Sequence, residues 1–354
     1  MSCLLNDITI QEELVMSNLC KNSIMILNTS IIRISSINSD TDDEVILPII
    51  DIQIAIELYI KYYICTQYGF DEILTTKYKS LRNNNPLQYL QELELLNIKT
   101  LGFNELKAFL ERKKDKFSYV IKEGVTPFFW IEYDYLEGTF EKFQNIRNGF
   151  VHLGVELSES DKRWIKTEFF SVVILFFSML FRETDATVSK IYSKSREYKF
   201  QIYQTPVDIL KNYLSKEAFD ALLQNKAYED TIIDMAIDVS KHGKCFKCDE
   251  CGKNALAIDM EFTDGVTKCF YCGNIFKVGY ADCNNCGSQD TVIYDNLNLI
   301  VNRNIMPAYC FECQEHIKIY VCPICEKSYT YDEYSPIKNF KFNCCKENFI
   351  DRIW

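Results

Sequence analysis

Histidine occurs three times in 354 residues, and His152 stands five positions after Arg147 and four after Asn148. An imidazole with an ordinary pKa of about 6.5 can give or take a proton near neutrality. An arginine offers a planar, permanently charged fork that matches the oxygens of a phosphate. An adjacent asparagine can orient either the imidazole or the anion. The segment 146–154 (IRNGFVHLG) is therefore a candidate for proton transfer at a bound anion. A structural reading competes with it: a helix-end histidine bonded to backbone, and an arginine in an ion pair, with Glu57 as an available carboxylate.

The second chemistry is sulfur. Thirteen of the 16 cysteines lie between positions 245 and 345. They group as Cys248, Cys251, Cys269 and Cys272; then Cys283, Cys286, Cys310 and Cys313; then Cys322, Cys325, Cys344 and Cys345. The half-sites are separated by 17, 23 and 18 residues. A C-x-x-C turn brings two sulfurs to one tetrahedral ion at about 2.3 Å, and a second half-site closes the set. Gly252, Gly273 and Gly287 follow the second cysteine of their turns, where a knuckle favours a residue tolerant of positive φ. Cys245-x-x-Cys248 competes for the first set, but Asp249 follows it, so Cys245 is left out. Adjacent Cys344 and Cys345 make the third set the least regular. The pattern resembles zinc ribbons repeated three times, with Asp264-Gly265 suited to a hairpin tip in the first. Closed four-thiolate sites are structural, so three structural Zn2+ per chain are expected. His242 and His316 stand near the array and read as spare residues, although His316 could replace a ligand of the second set.

These groups need elements to hold them. Residues 1–34 suggest one or two helices, and 35–44 a polar loop. From Ile49 to Tyr68, Ile52, Ile56, Tyr59, Ile60 and Tyr63 recur at helical spacing, with Glu57/Lys61 as an i,i+4 pair. The run 83–86 (NNNP) is a break, followed by short helices near 87–96 and 104–116. Thr126-Pro127 suggests a cap with Pro at the first helical position. The helix it opens would run through Trp130, Leu136, Phe140 and Phe143 into Arg147, with Gly149 and Gly154 interrupting or ending it. Ser160-Asp161 then starts an apolar helix ending near Arg182. Helices at 206–214, 216–224 and 229–240 suggest a connector layer. Beyond Cys245 the runs turn short and β-like, as in Ala255–Phe262.

Helical geometry separates the candidate residues. At about 100° per residue, Asn148 and His152 share a face with Glu137, Glu141 and Gln144. Arg147 lies about 140° from His152, on the side of Leu136, Phe140 and Phe143. Either Gly149 bends the helix or Arg147 projects into an interface.

On Arg147-Asn148-x-x-x-His152, and on Ala55-x-Glu57-x-x-x-Lys61 in an earlier helix, residues 45–182 resemble the HEPN superfamily of all-helical ribonucleases. The resemblance implies an Arg-x4–6-His active site with a polar residue after the arginine. It implies attack by the RNA's own 2′-OH on the adjacent phosphate, leaving a 2′,3′-cyclic phosphate and a 5′-OH end without a metal. A base and an acid together require two histidines, and so two chains, which fits the two-fold dimers of that superfamily. Arg147, Asn148 and His152 are then the candidate catalytic residues, with Glu57 as a supporting partner. The family also implies a toxin or antiviral defence effector. The alternative is a non-catalytic adaptor whose ribbons bind a protein or nucleic-acid partner.

The expected organisation is a multidomain chain: an N-terminal helical segment 1–44, an all-α HEPN-like bundle 45–182, a helical connector 183–242, and small β-rich zinc ribbons 243–354. Hydrophobic residues make up 47% of the chain, enough for a sizeable core. The net charge of −11 argues against a broadly basic, nucleic-acid-coating surface. The cysteine-rich region is no exception, with 11 Lys+Arg against 15 Asp+Glu over 245–354. The N-terminus lacks a signal-peptide pattern, and the apolar run Phe169–Phe181 is too short to span a bilayer. Clustered thiols and no membrane segment suggest the cytosol.

Overall fold

No proline or glycine occurs between Ser2 and Ser35, and this stretch forms one 34-residue helix, α1. The computed structural model describes residues 2–37, 42–112, 133–154, 156–178, 180–181, 205–240, 245–248, 250–257, 266–289, 291–295, 305–310, 312–313, 315–321 and 328–331. The chain divides into two compact units, Met1–Asp238 with Phe270–Gly273, and Val239–Cys269 with Asn274–Trp354. Ten α-helices among the described residues lie in the first, and eight strands in the second.

Helix α2 (Asp42–Tyr68) starts earlier than its sequence suggests, with Pro48 inside it. Proline costs one intrahelical bond. Burial of Val45, Ile46 and Ile49 around it offsets that loss. Buried serines lock α1 to α2: Ser23 Oγ donates to the Ala55 carbonyl at 2.6 Å and Ser30 Oγ to the Pro48 carbonyl at 2.8 Å. Leu27 and Ile31 of α1 and Ile52, Ile56 and Ile60 of α2 are buried completely.

Gly69, at φ 102°, ends α2 and leads through the 3-10 turn Phe70–Ile73 to α3 (Thr76–Asn84). The break at 83–86 is a helix boundary. Asn85 caps α4 (Pro86–Glu94) by accepting from the Gln88 N–H, with Pro86 at the first helical position. Arg82 of α3 ties this layer together. It donates twice to Glu12, at 2.8 and 3.1 Å, and once to Asp71 at 3.0 Å. The Tyr89 hydroxyl completes the set on Glu12 at 2.9 Å.

Helix α5 (Phe103–Arg112) precedes α6 (Tyr133–Leu153), which is followed by α7 (Glu159–Ser171). The apolar run after α7 winds as a π-helix over Val172–Phe177. Tyr59 of α2 is completely buried against Phe181 and Phe177, at ring distances of 4.9 and 6.1 Å. Three further helices, α8 (Pro206–Tyr213), α9 (Lys216–Gln224) and α10 (Lys226–Val239), close the first unit. A Thr205/Asp208 capping box opens α8, and the Ser215 side chain caps α9. No described helix is long and apolar enough to cross a membrane.

In the second unit the strands follow each other in sequence order as one antiparallel meander. They are β1 (Cys245–Phe246), β2 (Leu256–Ala257), β3 (Val266–Cys269), β4 (Ile275–Ala281), β5 (Val292–Asp295), β6 (Ile305–Cys310), β7 (His316–Val321) and β8 (Ser328–Tyr331). β4 is shared: its first half pairs with β3 and its second half with β5. The meander curls back, and Ser328 Oγ of β8 donates to the Tyr280 carbonyl of β4 at 3.0 Å. A core of Ala281, Val292, Ala308, Ile317 and Ile319 surrounds Cys283 and Cys310. β2 pairs antiparallel with β3; Asp264-Gly265 lies outside the described residues, as does Thr126-Pro127.

Candidate active site and metal centres

Helix α6 carries Arg147, Asn148 and His152, and Gly149 does not interrupt it. It ends at Leu153, and Gly154 follows at φ +64°, its N–H bonded to the Phe150 carbonyl at 3.2 Å. Of the two glycines expected to interrupt or end the helix, Gly154 alone does so. An intrahelical glycine costs only about 1 kcal/mol, which the packing of α6 outweighs. Phe140 and Phe143 are buried, in ring contact with Phe176 at 5.0 Å and with Trp164 at 5.2 Å. Lys142 lies over the Trp164 ring at 3.8 Å, and Lys107 of α5 pairs with Glu141 at 2.8 Å.

Arg147 is half-buried on the side of Phe140 and Phe143, whereas His152 is exposed in the last turn. Asn148 is half-buried. Among the described residues, the side chains of these three make no hydrogen bond or ion pair. Glu57 is taken by Lys61, whose ammonium is 2.6 Å away with its side chain only 9% exposed. The expected i,i+4 pair is therefore present on α2, and no hydrogen bond or ion pair links Glu57 to Arg147 or His152. The structure brings Glu57 and Lys61 together and leaves Arg147 and His152 apart on one helix.

Sulfur geometry is more compact. Cys248, Cys251, Cys269 and Cys272 gather within 4.8 Å of one another, and so do Cys283, Cys286, Cys310 and Cys313. Ligands at about 2.3 Å from a tetrahedral ion are about 3.8 Å apart. The sulfur separations are 3.7 Å for Cys251–Cys269, 3.8 Å for Cys283–Cys313 and 3.7 Å for Cys286–Cys310. Both thiolate sets therefore fit zinc and suggest two structural Zn2+ sites. Each half-site has the same local bond, from the first cysteine N–H to the carbonyl five residues on. The pairs are Cys248–Lys253, Cys269–Asn274, Cys283–Ser288 and Cys310–Glu315, at 2.8 to 3.0 Å. Gly252, Gly273 and Gly287 have φ of 70°, 79° and 75°, the conformation their position demands.

Cys245 stands outside the first set, its thiol donating to the Asn254 carbonyl at 2.8 Å. His316 is exposed, its ring 5.1 Å from Tyr309 across β6 and β7, while four sulfurs form the second set. The expectation of three ions is met by two sets among the described residues. Cys322, Cys325, Cys344, Cys345 and His242 lie outside them.

Two features had no signal in the sequence. Ser288 belongs to no motif, yet hydrogen bonds from its side chain and backbone draw the Cys286 thiol down to about 6. The Glu12–Arg82 pair spans 70 positions, beyond any local pattern. Elsewhere, burial pushes the Cys65 thiol up to about 12, which marks it as an inert core group.

No family model, curated protein or solved structure matches the chain.

Proposed function

We propose that this protein is a HEPN-type, metal-independent endoribonuclease whose active site is composite, formed when two chains bring their α6 helices together. The observation that carries the reading is the state of Arg147: a half-buried arginine whose side chain has no hydrogen bond or ion pair among the described residues. A charge held this way is stabilised by an anion, and a phosphate diester matches its fork. His152, exposed four residues from Asn148, supplies the proton-transfer group. The RNA 2′-OH attacks the phosphate, one histidine accepts its proton, and the other chain's histidine protonates the leaving 5′ oxygen. Arg147 binds the phosphate oxygens as negative charge grows, and Asn148 orients the imidazole or the phosphate.

In this proposal the thiolate sets are structural, and Cys322, Cys325, Cys344 and Cys345 hold a third zinc. The ribbons offer a surface for RNA, a protein partner or a regulator. The role is that of a cytosolic toxin or antiviral effector. A non-catalytic adaptor is the second reading, favoured by the lack, among the described residues, of any hydrogen bond orienting the His152 side chain.

Cleavage of total RNA by wild type, Arg147→Ala and His152→Ala, each with EDTA, tests the proposal. Cutting that survives EDTA, disappears in both variants and leaves cyclic-phosphate ends supports the nuclease. Absence of cutting, with a cellular phenotype intact in His152→Ala, identifies the adaptor.

A further inference from the structure

The two thiolate sets meet solvent differently. In the first, Cys248 and Cys269 are buried and Cys251 and Cys272 half-buried. In the second, Cys283 and Cys310 are buried and Cys313 is half-buried, but Cys286 is exposed. Its neighbours Asn284, Asn285 and Gly287 are exposed as well. A Cβ built on Gly287 meets nothing within 4 Å, whereas one on the equivalent Gly252 meets Lys247 Cε at 3.9 Å. One corner of the second set is therefore open to a small reagent.

We propose that Cys286 is an oxidation site, at which a peroxide converts the second set from a metal site to a disulfide. Access and thiolate character govern such reactions, and a zinc ligand is held as thiolate. The Cys286 sulfur attacks one peroxide oxygen and the O–O bond breaks. Sulfur keeps that oxygen as a sulfenic acid, and the other leaves as hydroxide, which is protonated to water. Cys310 Sγ lies 3.7 Å from Cys286 Sγ. It attacks the sulfenic sulfur, the S–O bond breaks, and a second hydroxide leaves and is protonated. Two thiolates lose two electrons, the peroxide gains two, and two protons are consumed. Closing to a disulfide length of about 2.05 Å draws both sulfurs away from the ion. Cys283 and Cys313 alone do not retain it, so the metal is released. The inference is independent of the nuclease reading.

The test uses the full chain loaded with zinc and free of reductant. Hydrogen peroxide is added below one equivalent, and a metallochromic dye follows released zinc. Samples are denatured, capped with N-ethylmaleimide and mapped by peptide mass. A Cys286–Cys310 disulfide is expected to accumulate with one zinc released per disulfide formed, at least about tenfold faster than loss of Cys248, Cys251, Cys269 or Cys272. Dithiothreitol with added zinc is expected to reverse it. Equal rates at both sets, a first disulfide lacking Cys286, or irreversible loss of the Cys286 thiol would each overturn the proposal.

Discussion

Arg147 and His152 sit on one uninterrupted helix and diverge by about 140° around its axis. Arg147 lies on the helix face of Phe140 and Phe143 and is half-buried, whereas His152 is exposed. A two-chain site accommodates that divergence, because each chain can supply one histidine to a shared cleft. If acid and base come from different chains, a dimer with one His152→Ala chain is inactive. Co-expression of wild type and His152→Ala in equal amounts should then leave about a quarter of the activity, since only wild-type pairs cut. A value near one half would point to independent sites within single chains.

Zinc should be countable and separable by site. Metal analysis of protein purified without chelator should find at least two zinc ions per chain, and three if the final four cysteines close a set. Cys269→Ala should lower the count by one. Structural zinc contributes about 10–16 kcal/mol to small modules, so that ribbon should also lose its protection from protease. Retained stoichiometry in the variant would remove Cys269 from the ligand set.

Arg82→Ala leaves the buried Glu12, 6% exposed as a residue, with the Tyr89 hydroxyl as its remaining side-chain partner among the described residues. Arg82 is itself partly exposed, so the loss should be about 2–4 kcal/mol, measured by urea denaturation. Arg33→Ala, at an exposed pair with Asp51, should change stability by less than about 1 kcal/mol. Similar effects from both would contradict the burial argument.

Gly287→Ala isolates backbone strain, because the new Cβ meets no neighbour while φ stays near 75°. The cost should be about 1–2 kcal/mol, visible as weaker retention of one zinc against a competing chelator, with Asn better tolerated than Ala. Unchanged retention in Gly287→Ala would mean the knuckle accepts another conformation.

Cys65 is expected to stay protonated in the folded protein. Its thiol rises from 9.0 to about 12, chiefly through burial. The stabilising contribution is complete below pH 9 and is lost as pH rises through the folded value, because the unfolded thiol ionises first. Iodoacetamide at pH 8 should leave Cys65 unmodified until urea unfolds the chain. Rapid native alkylation would contradict its placement in the α2 core.

The sequence by itself determined the elements whose signals are local. Apolar spacing along Ile49–Tyr68 is a helix because one face must be buried. The glycine after Cys251, Cys272 and Cys286 adopts positive φ because a knuckle requires it, and this fixed the choice between Cys245 and Cys251. Tertiary structure decided what depends on distant partners. Packing carried α6 straight through Gly149, although the residue alone suggests a break. It buried Glu12 beside Arg82 across 70 positions, and joined Ser23 to Ala55. It also left Cys286 exposed while Cys283, in the same turn, is buried. Spacing brings four sulfurs to one ion, but solvent access depends on which strands and loops lie over each of them.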